Sequence, residues 1–188
     1  MICTLFLVYG IMHTIEIDSR KTHMKKITAK QPNSSECFVC GLDNDKGLKA
    51  EFYETETNEV AALFTPQRLH QSYPGRVHGG IAACILDETM GRAVQIGNPD
   101  VWGVTVELSL AYKKPLPYGQ QLKAFGRITK DSRLLFEAEG EIYTPDGEVA
   151  VTAKARYVKM SIGQISDDFD PDSSAWQVHL HIDDPMEI

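Results

Sequence analysis

One helical segment constrains the fold of this chain more than any other stretch of it. The segment begins at Gly79 or Gly80 and runs to near Ile96, after which the string GNP ends it. Apolar residues lie on almost every side of this helix, and no second long helical pattern occurs in the sequence. A helix that is apolar nearly all round must be surrounded by other structure, so the rest of the chain has to supply that cover.

Six strand patterns flank the helix, because apolar and polar residues roughly alternate there and β-forming residues dominate. The patterns are GLKAEFYETET and NEVAALFTP before the helix, and residues 101–112, 120–130, 132–144 and 148–160 after it. The first two predict a hairpin, and the short gaps between the last four predict an antiparallel meander. The sequence therefore predicts an α+β domain in which one central helix packs on a strongly curved antiparallel sheet.

The two ends of the chain are predicted to be peripheral. Residues 1–33 form an N-terminal extension, residues 34–160 the domain, and residues 161–188 an acidic C-terminal tail. The opening MICTLFLVYGIM is apolar, but it lacks a basic region and a cleavage pattern and is too short to span a bilayer. One of the four cysteines, Cys84, lies inside the apolar helix, so a cytoplasmic protein is predicted rather than a disulfide-stapled secreted one.

The charge of the chain and the motifs that it lacks exclude several classes of function. With a formal net charge of −7, the chain does not have the concentrated basic surface of a nucleic-acid binder. No GxGxxG, GxxxxGKS/T, HExxH or GxSxG string occurs, which argues against nucleotide binding, zinc-protease chemistry and an α/β-hydrolase nucleophile.

The string CFVC places Cys37 and Cys40 at the spacing of zinc ligands. A structural zinc site needs four ligands, and no second close pair follows in the sequence. A redox pair would normally open a helix next to a βαβ pattern, which is missing here. The favoured interpretation is therefore two small apolar residues packed against the domain near its first strand.

Two adjacent acidic residues in the helix differ in whether an ion-pair partner lies three or four residues away. Glu88 has Arg92 four positions on, which predicts an ordinary ion pair on a more solvated face. Asp87 has small and apolar neighbours and no cation at the same spacings, so burying its carboxylate is expensive. A hydrogen bond to a loop, or exposure at the helix rim, is the structural alternative to a chemical role.

The His-Gly-Gly step before the helix favours the chemical role. Gly79 and Gly80 lie in the first turn, where backbone N–H groups are unsatisfied and can approach a ligand closely. Such a terminus favours negative charge and suits the oxygen of a polarised carbonyl. Asp87 lies about two turns further along the helix, where it can act as a base or as a nucleophile. The pattern indicates an acyl-transfer site.

These residues also carry a family resemblance. The string PGRVHGGIAACILDETMGRA, followed by GVTVELSLAYKKPLPYGQQL and LLFEAEGEIYTPDGEVAVTAKARYV, resembles the hotdog-fold acyl-CoA thioesterases of the PaaI-like type. The upstream string CFVCG, with an Asn and a Gly-Leu step after it, is similar to a subset that includes the mammalian mitochondrial long-chain enzymes. The resemblance covers about residues 34–160 and implies a hotdog fold, with a curved antiparallel sheet wrapped around one long central helix.

The resemblance implies roles for the residues at both ends of the helix. The Gly79 and Gly80 amides would bind the thioester carbonyl, and His78 would support that oxyanion site. Asp87 would be the general base or nucleophile that releases the free carboxylic acid and CoA. No metal and no cofactor are implied.

Two further positions complete the implied catalytic set. Thr105 stands where these enzymes place a Ser or Thr that orients the attacking water, although a β-branched strand residue is equally expected there. Ser72 stands six residues before the histidine, where related enzymes often have Asn or Gln, and Ser cannot present an amide. The family's site lies between subunits, so the resemblance also implies a homodimer, often paired into a tetramer.

Binding of an acyl-CoA requires cations for its phosphates and an apolar pocket for its acyl group. The string KDSR, with Lys130 and Arg133, is the favoured phosphate site. The other candidate cations are Arg76, Lys113, Lys114 and Arg156. The predicted acyl-pocket residues are Met90, Val94 and Trp102. Acyl-CoA is the expected partner, and neither a nucleic acid nor a membrane is expected.

Three functions remain open from the sequence. Hydrolysis of an acyl-CoA thioester is the leading hypothesis. A hotdog domain can also bind acyl-CoA or an acyl carrier without catalysis, because fold does not determine function. The third possibility is a hotdog hydratase or dehydratase, in which a His and a carboxylate act on the acyl chain.

Overall fold

The computed structural model describes residues 24–167 and 176–188. Its main helix, α1, spans Gly79–Gly91 and continues as a 3-10 turn over Arg92–Gln95. A further 3-10 turn spans Arg68–His70, and a short helix, α2, spans Ile162–Ile165. The strands are β1 (Ile27–Lys30), β2 (Asn33–Ser34), β3 (Glu51–Thr55), β4 (Val60–Phe64), β5 (Trp102–Tyr112), β6 (Leu122–Asp131), β7 (Leu135–Tyr143), β8 (Val149–Met160) and β9 (Trp176–Gln177).

A seven-stranded antiparallel sheet wraps α1, in the strand order β1-β3-β4-β6-β7-β8-β5. The predicted α+β class and curved sheet are confirmed, as are the β3–β4 hairpin and the β6-β7-β8 part of the meander. The prediction that β5 would neighbour β6 is wrong, because β5 pairs with β8 at the far edge and β6 pairs with β4. The β5–β6 connection carries two prolines, which cannot donate ladder hydrogen bonds, and Leu116 between them accepts from the Val77 N–H at 3.0 Å, just before α1 begins.

The core lies between α1 and the sheet. Ile85, Leu86 and Met90 of α1 are fully buried, and each contributes on the order of 2 kcal/mol through removal of apolar area from water. Gly126 of β6 permits the close approach, because a Cβ there would lie 2.9 Å from the backbone of Met90. The helix ends at Gly91 rather than near Ile96, where the chain tightens into the 3-10 turn.

Described parts of both chain ends pack against the sheet. Strand β1 pairs with β3, and Lys25 and Ile188 exchange two backbone hydrogen bonds of 2.9 Å. Strands β2 and β9 form a separate two-stranded sheet. The predicted division at residues 33/34 and 160/161 stays a prediction, and the opening apolar stretch and residues 168–175 of the acidic tail lie outside the described residues. None of the described helices is both long and apolar enough to cross a membrane.

Candidate active site at the two ends of the central helix

Two strands contribute side chains that contact the Asp87 carboxylate in the second half of α1. The Thr105 hydroxyl of β5 donates to Oδ1 of Asp87 at 2.9 Å, and the Tyr157 hydroxyl of β8 lies 3.2 Å from the same oxygen. The Tyr157 hydroxyl also lies 3.0 Å from the Asp87 backbone carbonyl. Thr105 and Tyr157 are direct cross-strand partners, so the register of β5 on β8 places both hydroxyls beside one carboxylate.

The surroundings of Asp87 favour its neutral form more than water does. Burial raises the pKa of this carboxyl, and the neighbouring charge of Glu88 raises it further. The hydrogen bonds from Thr105 and Tyr157 act in the opposite direction because they stabilise the carboxylate. Burial and the nearby Asp87 charge also raise the pKa of Tyr157, so this phenol stays protonated and remains a donor.

A small pocket of about 100 Å³ opens beside Asp87. Two tryptophans form one of its walls: the rings of Trp102 on β5 and Trp176 on β9 lie 4.8 Å apart. The Arg92 guanidinium lies 4.9 Å from the Trp176 ring and also donates to Glu88 at 2.9 Å. The predicted Glu88–Arg92 pair is thus confirmed, although Arg92 is only 4% exposed and not on a solvated face.

The N-terminal end of α1 is more open. His78 is the N-cap, and its Nδ1 accepts a hydrogen bond from the Gly80 N–H at 2.9 Å. One of the two amides predicted to bind a carbonyl is therefore engaged by its own cap. The Gly79 N–H has no acceptor within the part of the chain that the structure describes. The Tyr112 hydroxyl donates to the Gly79 carbonyl at 2.8 Å and holds its ring across the helix start.

A cleft of about 370 Å³ lies at this end of the helix. Ser72, His78 and Gly79 line it, together with three of the candidate cations: Arg76, Lys113 and Lys114. Lys114 forms an ion pair with Glu148. The structure thus brings the predicted Ser72 position, the His-Gly step and one group of cations to the same place.

The other candidate cations lie elsewhere. Lys130 and Arg156 line a separate depression of about 570 Å³ and pair with Glu137 and Glu107 at 2.8 and 3.0 Å. They alternate along their strands with residues that face α1, so they lie on the opposite face of the sheet. Arg133 is exposed in the β6–β7 turn. Within one protomer, the KDSR string therefore does not lie beside the N-terminus of α1.

The helix fixes the distance between Gly79 and Asp87. Asp87 follows Gly79 by eight residues, which at 1.5 Å per residue corresponds to about 12 Å along the helix. An amide at Gly79 and the carboxylate of Asp87 in the same chain therefore do not face one carbonyl group. Each protomer carries two separate parts of the predicted site.

Comparison with known proteins agrees with this architecture. A family profile described as Thioesterase superfamily matches residues 74–151, which include α1, β5, β6 and β7. Rat (Rattus norvegicus) acyl-coenzyme A thioesterase THEM4 is 27% identical over 133 residues, which are 70% of this chain and 56% of the rat protein. These matches support a hotdog-fold thioesterase assignment for the matched part of the chain. The chain spans about half the length of the curated relatives that it matches.

Two solved structures are similar in fold to this chain. The crystal structure of a protein described as a thioesterase superfamily protein has a TM-score of 0.60 and 29% identity, over 65% of this chain and 59% of that chain. The PaaI protein of E. coli, from the phenylacetic acid degradation operon, has a TM-score of 0.55 at 12% identity, over 61% of this chain and 81% of that chain. The predicted resemblance to PaaI-like hotdog thioesterases is confirmed.

Several residues at the candidate site were not predicted from the sequence. Tyr157 and Tyr112 lie inside predicted strands with no chemical role expected, and Trp176 lies in the tail predicted to be peripheral. Of the predicted acyl-pocket residues, Trp102 lines the pocket beside Asp87, whereas Met90 and Val94 are buried in the core of the protomer. The alternation of residues along β8 predicts that Tyr157 faces the helix, but it does not predict a polar contact there.

One group of metal-ligating side chains comes together among the described residues. Sulfur atoms of Cys37 and Cys40 and a carboxylate oxygen of Glu88 all lie within 4.8 Å of one another. A hydrogen bond with Cys40 is the main cause that lowers the pKa of Cys37 to about 6, against the opposing effect of burial. Cys40 is fully buried, which agrees with the predicted packing of this pair against the domain.

Proposed function

We propose that this chain hydrolyses an acyl-CoA thioester to a carboxylic acid and CoA. The observation that carries the proposal is the Asp87 carboxylate, which is half-buried beside a pocket and fixed by two hydroxyl donors. In a member of the thioesterase superfamily, a carboxylate held in this way is suited to take a proton from water. The THEM4 proteins, named as acyl-coenzyme A thioesterases, add support at low identity.

The two oxygens of Asp87 have different roles in the proposed reaction. Oδ1 accepts from Thr105 and Tyr157, whereas Oδ2 has no hydrogen-bond partner within residues 24–167 and 176–188. Oδ2 is therefore available to accept a proton from a water molecule. The water oxygen then forms a bond to the thioester carbon, the C–S bond breaks, and the CoA thiolate leaves and takes up the proton that Asp87 accepted, which restores the carboxylate.

We further propose that two copies of the chain complete each site. About 12 Å of helix separates Gly79 from Asp87 in one chain, so the amide that polarises the carbonyl must come from another copy. Strand β5 supports this assembly, since it is an eleven-residue edge strand with Val106 54% and Tyr112 57% exposed. A long edge of this kind normally pairs with another strand or is covered. Light scattering during gel filtration tests for the dimer.

We assign the CoA phosphates to the cleft at the N-terminal end of α1. Arg76, Lys113 and Lys114 lie there beside His78 and Gly79, and phosphate groups favour both cations and helix N-termini. This assignment replaces the KDSR string, whose Lys130 lies on the other face of the sheet, away from the helix N-terminus.

The experiment is a thioesterase screen over aromatic, short-chain and long-chain acyl-CoAs, in which a chromogenic thiol reagent detects free CoA. Wild-type protein is compared with Asp87→Asn and with a matched control, Asp146→Asn, which changes an exposed carboxylate in the β7–β8 turn. Release of CoA by wild type and by the control, with loss in Asp87→Asn, supports the proposal. Equal release by Asp87→Asn contradicts the role of Asp87.

The same screen separates the two alternative functions. Stoichiometric binding of acyl-CoA without thiol release from any member of the panel would indicate a binding module. Hydration of crotonyl-CoA, followed by loss of its ultraviolet absorbance without release of CoA, would indicate a hydratase.

A further inference from the structure

A tight turn holds the two cysteines of the CFVC string in place. The Gly41 N–H donates to the Cys37 carbonyl at 2.7 Å and closes the turn. A Cβ at position 41 would lie 2.3 Å from that carbonyl oxygen, so only glycine can occupy this position without moving the backbone. The residue after the second cysteine is therefore part of the turn that sets the sulfur positions.

Backbone N–H groups in this turn are directed at sulfur. The Val39 N–H donates to the Cys37 Sγ atom at 3.3 Å. Hydrogen bonds of this kind stabilise a thiolate, and the thiolate is the form of cysteine that binds a metal ion. The backbone around Cys37 is thus arranged for a negatively charged sulfur.

Other contacts fix this turn to the body of the domain. The fully buried Asn33 side chain donates from Nδ2 to the carbonyls of Cys40 and Ala50, both at 2.8 Å. The Leu48 N–H donates to the Phe38 carbonyl at 2.8 Å. Because ligands held in advance lose little entropy on binding, these contacts favour a site over a flexible thiol pair.

Glu88 of α1 brings a carboxylate to the same place. Its Oε1 accepts from Nε of Arg92 at 2.9 Å, which leaves Oε2 with no partner in the described part of the chain. The guanidinium of Arg92 is held over the Phe52 ring at 4.2 Å. A ligand whose other oxygen is fixed by a neighbour is oriented as metal-binding carboxylates usually are.

We infer that Cys37, Cys40 and Glu88 bind one zinc ion, with a fourth position open to water. Two sulfur ligands favour zinc over the hard cations magnesium and calcium, and a three-ligand site with an open position is a known zinc arrangement. Zinc bonds of about 2.3 Å to sulfur require ligand atoms roughly 3.8 Å apart, which the present spacing of up to 4.8 Å reaches by small side-chain rotations. Arg92 supplies the positive charge that balances two thiolates, one carboxylate and a divalent ion.

The bound ion would join the cysteine turn to α1 one residue from Asp87. Glu88 and Asp87 are adjacent in the helix, so a fixed Glu88 also restrains the turn of helix that carries Asp87. This inference does not depend on the proposed hydrolysis, and its test measures metal binding alone.

The test uses the full chain, purified with a phosphine reductant and without chelators, and titrated with Co²⁺ and then with Zn²⁺. The expected result is one Co²⁺ bound per chain, with a near-ultraviolet thiolate-to-cobalt absorption band. Addition of Zn²⁺ is expected to displace the Co²⁺ and to remove this band. Competition with a chromophoric chelator gives the zinc affinity. The melting temperature of wild type is expected to rise with Zn²⁺ and to fall again with EDTA.

Variants locate the bound ion. Cys37→Ser and Cys40→Ser are each expected to abolish the charge-transfer band and to weaken zinc binding about 100-fold, since each removes one of three protein ligands. Glu88→Gln is expected to keep the band and to weaken binding about 10-fold. Cys84→Ser is the matched control, because it removes a half-buried cysteine of α1 that is not in the cluster, and it is expected to bind as wild type does.

Three results would overturn the inference. The first is the absence of one-to-one binding of Co²⁺ or Zn²⁺ by reduced wild-type protein. The second is unchanged binding by the Cys37→Ser and Cys40→Ser variants. The third is a Cys37–Cys40 disulfide that persists in the reductant, found by peptide mass analysis, because a disulfide has no thiolates to offer.

Discussion

The two ends of α1 carry different kinds of chemistry. At the N-terminal end, His78 caps the helix by accepting from the Gly80 N–H, and cations line an open cleft. At the other end, the Asp87 carboxylate is half-buried, contacted by two hydroxyls and walled by two tryptophans. One end is suited to hold negative charge, and the other carries a carboxylate of its own.

In the proposed reaction, this difference means that one helix contributes two separate parts of the site and not a complete one. The electric field of a helix favours anions at its N-terminus and disfavours a carboxylate near its C-terminus. Asp87 is therefore held by hydroxyls from β5 and β8 rather than by the helix. Substitutions at the two ends should accordingly affect different steps, binding at one and bond breaking at the other.

The largest expected effect is at the carboxylate end. Asp87→Asn keeps the size and the hydrogen-bonding shape of the side chain and removes its basicity, so kcat is expected to fall about 100- to 10,000-fold with a small change in KM. Steady-state kinetics on the best acyl-CoA from the screen measures both constants. A fall in kcat/KM that came entirely from KM would mean that Asp87 binds substrate instead of transferring a proton.

The next effect concerns the two hydroxyls that fix Asp87. Thr105→Val and Tyr157→Phe each remove one donor to Oδ1 without much change in volume, and each is expected to lower kcat about 10-fold. Thr105→Ser restores a hydroxyl and is expected to recover most of the loss. If Thr105→Ser were as slow as Thr105→Val, the methyl group rather than the hydroxyl would be what matters.

A smaller effect is expected at the cation-lined end. The double change Lys113→Ala and Lys114→Ala removes two charges from the cleft and is expected to raise KM several-fold with kcat nearly constant, more so at low salt. Lys123→Ala, on β6, is the matched control for loss of an exposed lysine. A larger effect of Lys130→Ala than of the double change would return the phosphate site to the KDSR string.

The smallest effect concerns the wall of the Asp87 pocket. Trp176→Ala removes one of the two adjoining tryptophan rings and enlarges the pocket, so the preference for longer or bulkier acyl groups is expected to shift a few-fold. The ratio of kcat/KM for long and short acyl-CoAs measures the shift. A uniform change across the panel would show that Trp176 supports the fold and does not contact the acyl group.

The parts of this fold that the sequence predicted depend on local pattern. The start of α1 at the glycines, the β3–β4 hairpin and the strands β6 to β8 follow from periodicity and turn residues in single stretches. The position of β5 depends on a non-local pairing with β8, and no local signal separates that arrangement from a simple meander. The path of the proline-containing connection beside the start of α1 is visible only when both elements are in place.

The candidate site follows the same rule: residues with a local signal were predicted from the sequence, and residues placed by non-local contacts were not. The sequence predicts a chemical role for Asp87 because no cation lies three or four residues from it in the helix. Glu88 has Arg92 at that spacing, so an ion pair accounts for it. The contact with Tyr157 joins residues seventy positions apart and depends on the register of two strands. Trp176 reaches the pocket from a segment whose composition indicated only a polar tail. The Cys37–Cys40 pair lacked a third ligand in the sequence because Glu88 lies far along the chain.

The exposed edge of β5 has a consequence for how the protein behaves in a cell. If each working site draws Gly79 from one chain and Asp87 from another, turnover per chain depends on how often chains meet. Below the dissociation constant of the dimer, specific activity falls as the protein is diluted, and above it activity follows amount linearly. The edge strand then makes catalytic output a threshold function of the protein's own abundance.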